Sequence, residues 1–318
     1  MGTYLVRRLI LMVVVILIVT LIVFFMVRLL PGDPILMYLT RQDVEQFTIE
    51  QVDLMRKELG MDRPLVVQYF EWLGNIVQGD LGMSLVLRRP VIDDIVRRLP
   101  VTLHLGMLAF IVGIVVGIPM GIVAAIRRGG WLDQIFTTLG NLGITIPIFW
   151  LGILLIYFFG LRLDWLPMYG YTSPFSDPLL NLRQIILPVF CLSVPAIASS
   201  VRLTRSSMLE VMRQDYIRTA WSKGLNERTV IAMHALKNGL IPVITLKGIT
   251  IVTILGGSVF VETVFNIPGM GRLAVEALRS QDYPVIQGII LMIAIVVSLS
   301  NLLVDLSWGW LDPRVRFN

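Results

Sequence analysis

Charge, cysteine and histidine are all scarce in this sequence, and each scarcity removes a class of protein from consideration. Asp, Glu, Lys and Arg make up 15% of the 318 residues, against about 25% in soluble domains. The lone cysteine, Cys191, permits neither a disulfide framework nor a cysteine-based zinc site. Two histidines, His104 and His234, are too few for histidine-rich metal chemistry, so no metal site is expected. The sequence contains no Gly-x-x-x-x-Gly-Lys-Ser/Thr loop to cradle nucleotide phosphates. No serine, cysteine, histidine and acid recur together at one depth, as a membrane-embedded enzyme would need. What remains is apolar. Hydrophobic residues form 56% of the chain, more than a water-soluble core of this size can hide. Such a composition belongs in a bilayer.

A spanning helix needs about 20 mostly apolar residues. Six stretches approach or exceed that length, at 9–27, 101–126, 135–160, 185–201, 240–261 and 285–304, the fourth being the shortest. No strand-like alternation suggests a barrel, so each can satisfy its backbone only as a helix. Arg7 and Arg8 precede the first stretch as in a secretory signal. It outruns the usual apolar region of about 7–15 residues and no small-residue cleavage site follows, which predicts an uncleaved anchor. With the N-terminus inside, the inner segments hold thirteen basic residues and the two short outer loops four. Both termini are therefore expected in the cytoplasm. The isoelectric point near 9.5 is read as this topology signal, and no nucleic-acid partner is expected.

Segment 31–100 is too long for a bare connector. Thr48 with Gln51 fits a capping box, and Gly60 stands where a helix would stop. Pro64 suits the first turn of a second helix, on which Leu65, Tyr69, Trp72, Leu73 and Ile76 share one face. The segment reads either as a helical cap on the membrane surface or as a docking surface for an extracellular partner. The inner segment 202–238 lacks proline, and Gly224 is its only glycine. It predicts helix, a turn at Gly224-Leu225-Asn226, then helix again. Both a plain connector and a partner-binding helix fit that pattern.

Within this segment, Asp215-Tyr-Ile-Arg-Thr-Ala-Trp-Ser-Lys-Gly-Leu and His234-Ala-Leu-Lys-Asn-Gly-Leu-Ile-Pro-Val resemble the coupling loop of ABC importer permeases, nearest the dipeptide/oligopeptide/nickel branch. Ala220, Gly224 and Leu236 fit the general motif. Arg218 and Thr219 stand in place of its Glu-Ala, and His234 and Lys237 replace its Ile and Pro, departures typical of the peptide branch. Similar signatures occur along nearly the whole chain, at Arg28-Leu-Leu-Pro-Gly-Asp-Pro, Gly79-Asp-Leu-Gly-Met-Ser, Arg202-Leu-Thr-Arg-Ser-Ser-Met-Leu-Glu-Val, Glu262-Thr-Val-Phe-Asn-Ile-Pro-Gly-Met-Gly, Asp282-Tyr-Pro and Asp312-Pro-Arg-Val-Arg.

The resemblance implies an all-α integral membrane protein of six transmembrane helices, with the type I ABC importer permease fold. It implies an anchor helix at 1–30, a small helical extracytoplasmic insertion at 31–100, and a five-helix core at 101–318 with its coupling loop at about 202–238. The chain would be a non-enzymatic permease subunit in the inner membrane of a prokaryote, importing peptides. Nickel, glutathione and oligosaccharide are the alternative cargoes. Its implied partners are a second permease, two ATPase subunits that hold the ATP and Mg, and an extracytoplasmic solute-binding protein. The coupling residues would be Asp215, Arg218, Thr219, Ala220, Lys223, Gly224, Leu225, His234 and Leu236, with Ala220 allowing close approach to an ATPase.

Within the predicted spans, ionisable and helix-weakening residues are candidates for the pathway. Lys247 either meets cargo carboxylates or pairs with the neighbouring permease. Pro147, Asn141, Pro195 and Gly256 either line the pathway or serve kinks and close packing, as do Gly140, Gly143, Gly152 and Gly257. His104 reads as an interfacial hydrogen-bonding residue. Glu262 and Asp305 read as water-reached groups at span ends. An ion-coupled transporter would need paired intramembrane charges and inverted repeats, and Lys247 alone does not supply them.

Overall fold

The computed structural model describes residues 2–29, 49–58, 60–245 and 247–311, and the regular elements among them are helical. One isolated β-bridge joins Met83 and Pro90. The chain groups into two compact units, one of residues 1–101 with 269–318 and the other of residues 102–268.

In the first unit, α1 (Gly2–Arg28) packs along α13 (Tyr283–Leu311). α2 (Ile49–Glu58) closes as its sequence predicts. Gly60 takes φ +64°, and the Gly60 and Met61 amides donate to the Lys57 and Arg56 carbonyls, a glycine-terminated helix end. Thr48, the proposed cap, lies outside the described residues. In α3 (Leu65–Val77), Tyr69 and Trp72 set their rings 5.3 and 5.6 Å from that of the fully buried Phe24 in α1. The Arg28 guanidinium lies 3.4 Å over the Phe24 ring and donates to Gln68 Oε1 of α3 at 2.8 and 3.2 Å. Helix α4 (Val91–Ile126) starts here, with Asp93 and Asp94 in its first turn, where negative charge favours the helix dipole. Val91 and Ile95 join Leu273 of α12 (Met270–Ser280) and Ile286 and Ile289 of α13 in one apolar core.

Two of the sequence signatures meet in this unit. Asp282, 2% exposed, accepts a hydrogen bond from Ser84 Oγ at 2.5 Å and from the Leu85 and Val86 amides at 3.2 Å each. The carboxylate thereby organises a turn that lies 196–198 residues away in the chain.

In the second unit, α7 (Pro178–Val211) is the central strut. Asp177 caps it by accepting from the Leu180 amide at 2.9 Å, and Pro178 occupies the first turn. Helix α4 meets α7 through small residues. A Cβ built on Gly113, Gly117 or Gly121 would lie 2.6–2.7 Å from the Cβ of Ala196, Ser200 or Thr204 respectively. Backbones this close require glycine on one side and small side chains on the other. Pro188 and Pro195 sit inside α7 without ending it.

The apolar stretch 135–160 is not one straight span. α5 (Trp131–Thr145) and α6 (Ile148–Leu155), the latter continuing as a π-helical turn Ile156–Arg162, meet at 103°. The corner falls at Pro147, which has no N–H to donate and forces Ile146 into extended backbone. By length and composition, Leu5–Arg28, Val91–Ile126, Pro178–Val211 and Tyr283–Leu303 can each cross a bilayer, and the bent pair raises the number to five. The stretch 240–261 is helical at Ile241–Thr245 (α10) and Lys247–Val264 (α11), and residue 246 between them lies outside the described residues.

Candidate functional site

Helix, turn and helix follow α7 as its sequence predicts. α8 (Asp215–Ser222) is amphipathic. Ile217 and Ala220 turn inward to pack with Ala125, Met208, Val230 and Ala235. The chain then reverses at Gly224, whose φ of +76° suits a residue without Cβ. Asn226 caps the next helix, α9 (227–239), by accepting from the Thr229 amide at 2.9 Å. The stretch Val230–Ala235 within α9 is π-helical. Ser207 Oγ donates to the Gly239 carbonyl at 2.7 Å, fastening the far end of the segment to α7.

This arrangement divides the sequence-nominated residues into two faces. Asp215, Arg218, Thr219, Lys223 and Leu225 are exposed, and an ion pair of 3.4 Å joins Asp215 to Arg218. Trp221 and Met233 add exposed apolar surface beside them. His234 and Leu236 are half-buried. Ala220 faces inward. At 5% exposure its small side chain serves close packing within this chain.

An ion pair that the sequence reading missed braces the same region. Arg205 of α7 donates to both carboxylate oxygens of Asp133 in α5, at 2.6 and 2.9 Å. The Gly129 amide and Thr137 Oγ1 also donate to that carboxylate, at 2.9 and 3.2 Å. Asp133 is 5% exposed. A bidentate, fully satisfied pair of this kind fixes orientation as well as distance. The available sequence signal was an acid in the first turn of α5, directly after Arg127-Arg-Gly-Gly.

Two cavities open along α7. The larger, about 880 Å³, forms at the α5–α6 corner and is lined by Thr145, Pro147, Pro195, Ser199 and Gly257 among others. The smaller, about 600 Å³, is lined by Thr137, Asn141, Arg205 and Glu210. Arg202 and Ser206 line both. Of the nominated pathway residues, Pro147 and Pro195 thus border one cavity and Asn141 the other. Gly256 borders neither, and a Cβ there would meet nothing within 4 Å. Lys247 lies in α11, and its side chain lies outside the described residues.

His104 Nδ1 is 2.9 Å from the Tyr171 hydroxyl, and burial pushes that hydroxyl above the usual tyrosine range. Glu262 corrects an expectation. It is fully buried and accepts from Thr102 Oγ1 at 2.6 Å, so water does not reach it as a span-end residue. The Asp305 side chain and the Asp312-Pro-Arg-Val-Arg signature lie outside the described residues, as do Pro31 to Pro34 of the first signature.

Comparison with known proteins covers the whole chain. The family model described as "Binding-protein-dependent transport system inner membrane component" matches residues 117–317. Its companion for the N-terminal membrane component matches residues 1–106. A Sinorhizobium fredii protein named "Probable peptide ABC transporter permease protein" is 40% identical over 317 residues, covering all of both chains. The glutathione transport system permease protein of Escherichia coli is 39% identical, again across both full lengths. Among solved structures, an inward-facing form of the MetNI methionine ABC transporter aligns with a TM-score of 0.58 at 19% identity. That alignment covers 69% of this chain and 96% of the other.

Proposed function

The chain belongs to the family of binding-protein-dependent transport system inner membrane components, and on that premise we propose that it is the permease subunit of an ATP-driven peptide importer. The observation that carries the cargo class is the 40% identity, end to end, with a relative named for peptide transport. The glutathione permease relative at 39% supports a second, narrower cargo. Glutathione is itself a tripeptide, and both cargoes bear free carboxylates.

In this reading the chain crosses the inner membrane of a prokaryote six times, with both termini in the cytoplasm. The four long apolar helices, the bent α5–α6 pair and α11 supply the crossings. Residues 1–30 anchor it, 31–100 form an extracytoplasmic helical insertion, and 101–318 form the core. α8 and the turn at Gly224 are the coupling element. Its exposed Trp221, Leu225 and Met233, set among Arg218 and Lys223, suit a groove on a cytoplasmic ATPase. Two such ATPases, holding ATP and Mg, would move the element when they close. The Ser207–Gly239 bond and the packing of Ile217 on Met208 would pass that displacement to α7. A second permease completes the pathway, a solute-binding protein delivers cargo, and this chain catalyses no reaction.

The test is purification of the tagged chain from native membranes in mild detergent, followed by ATP-driven uptake of labelled di- to tetrapeptides in proteoliposomes. Recovery of two ATPases and a second permease, with uptake that requires ATP, is the expected result. A homodimer without ATPases across several detergents would refute it.

A further inference from the structure

The two cavities along α7 share one charged wall, and that wall is Arg202. The larger cavity is apolar over most of its surface, through residues such as Pro147, Leu192 and Ile254. Arg202 is the single charged residue among its described lining residues. The guanidinium is exposed, and among the described residues it has no hydrogen-bond or ion-pair partner. Its neighbour one turn on differs in kind, since Arg205 is held by both oxygens of Asp133. An unpaired guanidinium in the wall of an otherwise apolar cavity keeps all its donors available to an incoming anion.

We propose that Arg202 is a specificity-determining residue of the pathway, anchoring the carboxylate of an organic solute whose apolar body occupies the larger cavity. The chemistry fits in three respects. Arginine meets carboxylates with two parallel hydrogen bonds, which fixes orientation as well as charge. A volume of about 880 Å³ lies within the range of small-molecule sites, about 300–1,000 Å³, which are mostly apolar with a few orienting polar groups. Arg202 also faces the smaller cavity, where Asn141, Thr137 and Ser206 supply neutral polar groups. A carboxylate held at Arg202 therefore lies where the two cavities meet, so a solute can pass between them without losing its ionic contact. This inference rests on the transport reading above for its physiological meaning, but its central contact is a binding event that can be measured without transport.

The binding arm uses the purified full-length chain in lipid nanodiscs, titrated calorimetrically with N-acetyl-leucine and with N-acetyl-leucinamide. The expected result is at least tenfold tighter binding of the acid, a preference abolished in Arg202→Gln and partly retained in Arg202→Lys. Thermal unfolding of each variant verifies that it is folded. Equal binding of acid and amide by the unmodified chain, absence of acid binding, or a uniform loss for both ligands in Arg202→Gln would each overturn the proposal. The uniform loss would assign Arg202 to packing or to a partner's carboxylate. The transport arm compares ATP-driven uptake of a dipeptide and its C-terminal amide by the assembled complex, with Arg202→Gln expected to lower only the former, at least tenfold. If no peptide enters at all, the cargo reading has failed, and the binding arm still decides the role of Arg202.

Discussion

Replacing Gly117 by alanine adds a single carbon, and the geometry says where it must go. That carbon would lie 2.6 Å from Ser200 Cβ, 2.8 Å from the Ile197 carbonyl oxygen and 3.1 Å from Ile197 Cα. Carbon atoms rest at about 3.5–4.0 Å. Two of the three obstacles are backbone, so no rotamer change relieves them, and α4 and α7 must separate by about 1 Å. A gap of 0.5–1 Å forfeits about a quarter to a half of each dispersion contact. The loss extends to Gly113 against Ala196 and Gly121 against Thr204, because the three contacts share one helix pair. Overpacking of this type costs about 1–3 kcal/mol. Gly256→Ala is the matched control. It sits in α11 with open space around its Cβ, and alanine is favoured over glycine in a helix by about 1 kcal/mol. Unfolding midpoints of the purified chain in one detergent, read by intrinsic fluorescence, should therefore fall for Gly117→Ala and stay level or rise for Gly256→Ala. Adding Ser200→Gly should restore part of the Gly117→Ala loss, since the Ile197 carbonyl remains in the way. Wild-type stability in Gly117→Ala, or equal losses at both glycines, would refute the close-packing argument.

Three further outcomes follow from the same geometry. Gly224→Trp should abolish ATP-driven uptake while the chain still inserts, whereas Gly224→Asn, which tolerates a positive φ, should keep most uptake; normal transport by the tryptophan variant would dismiss the coupling role. Asp133→Ala leaves the partly exposed Arg205 guanidinium without its carboxylate and should cost about 1.5–3 kcal/mol, with part of it recovered by adding Arg205→Met; chemical denaturation of the two variants measures both numbers. Asp282→Asn weakens hydrogen bonds of the charge-assisted kind, each worth about 1.5–3 kcal/mol, so trypsin should cut after Arg88 at least tenfold faster, and an unchanged cleavage rate would show that the carboxylate does not hold the turn.

Local signals were legible in the sequence. Gly60 and Gly224 end helices because their φ is positive, a property of the residue itself. The apolar runs became helices because backbone satisfaction leaves no other choice in lipid. Proline was ambiguous. Pro147 sits at a 103° corner while Pro188 and Pro195 lie inside an unbroken α7. Tertiary surroundings decide between those outcomes. The 113/117/121 spacing was visible, as was that of 196/200/204, but nothing in one sequence says that the two ladders face each other. Asp133 with Arg205, and Asp282 with Ser84, are pairs far apart in the chain, and Glu262 was misread because its burial depends on Thr102.

The Asp282 clasp also sets a clock for biogenesis. Its carboxylate is synthesised 198 residues after the Ser84 hydroxyl that it holds. At about 5–20 residues per second, the turn at 84–86 waits roughly 10–40 s on the ribosome without the group that organises it. During that interval the early helices are already entering the bilayer, and Arg88 and Arg89 stand in an unlatched turn. Synthesis of Asp282, at the entrance to the final helix, then closes the turn. A chain truncated before residue 282 carries the turn without the carboxylate that organises it.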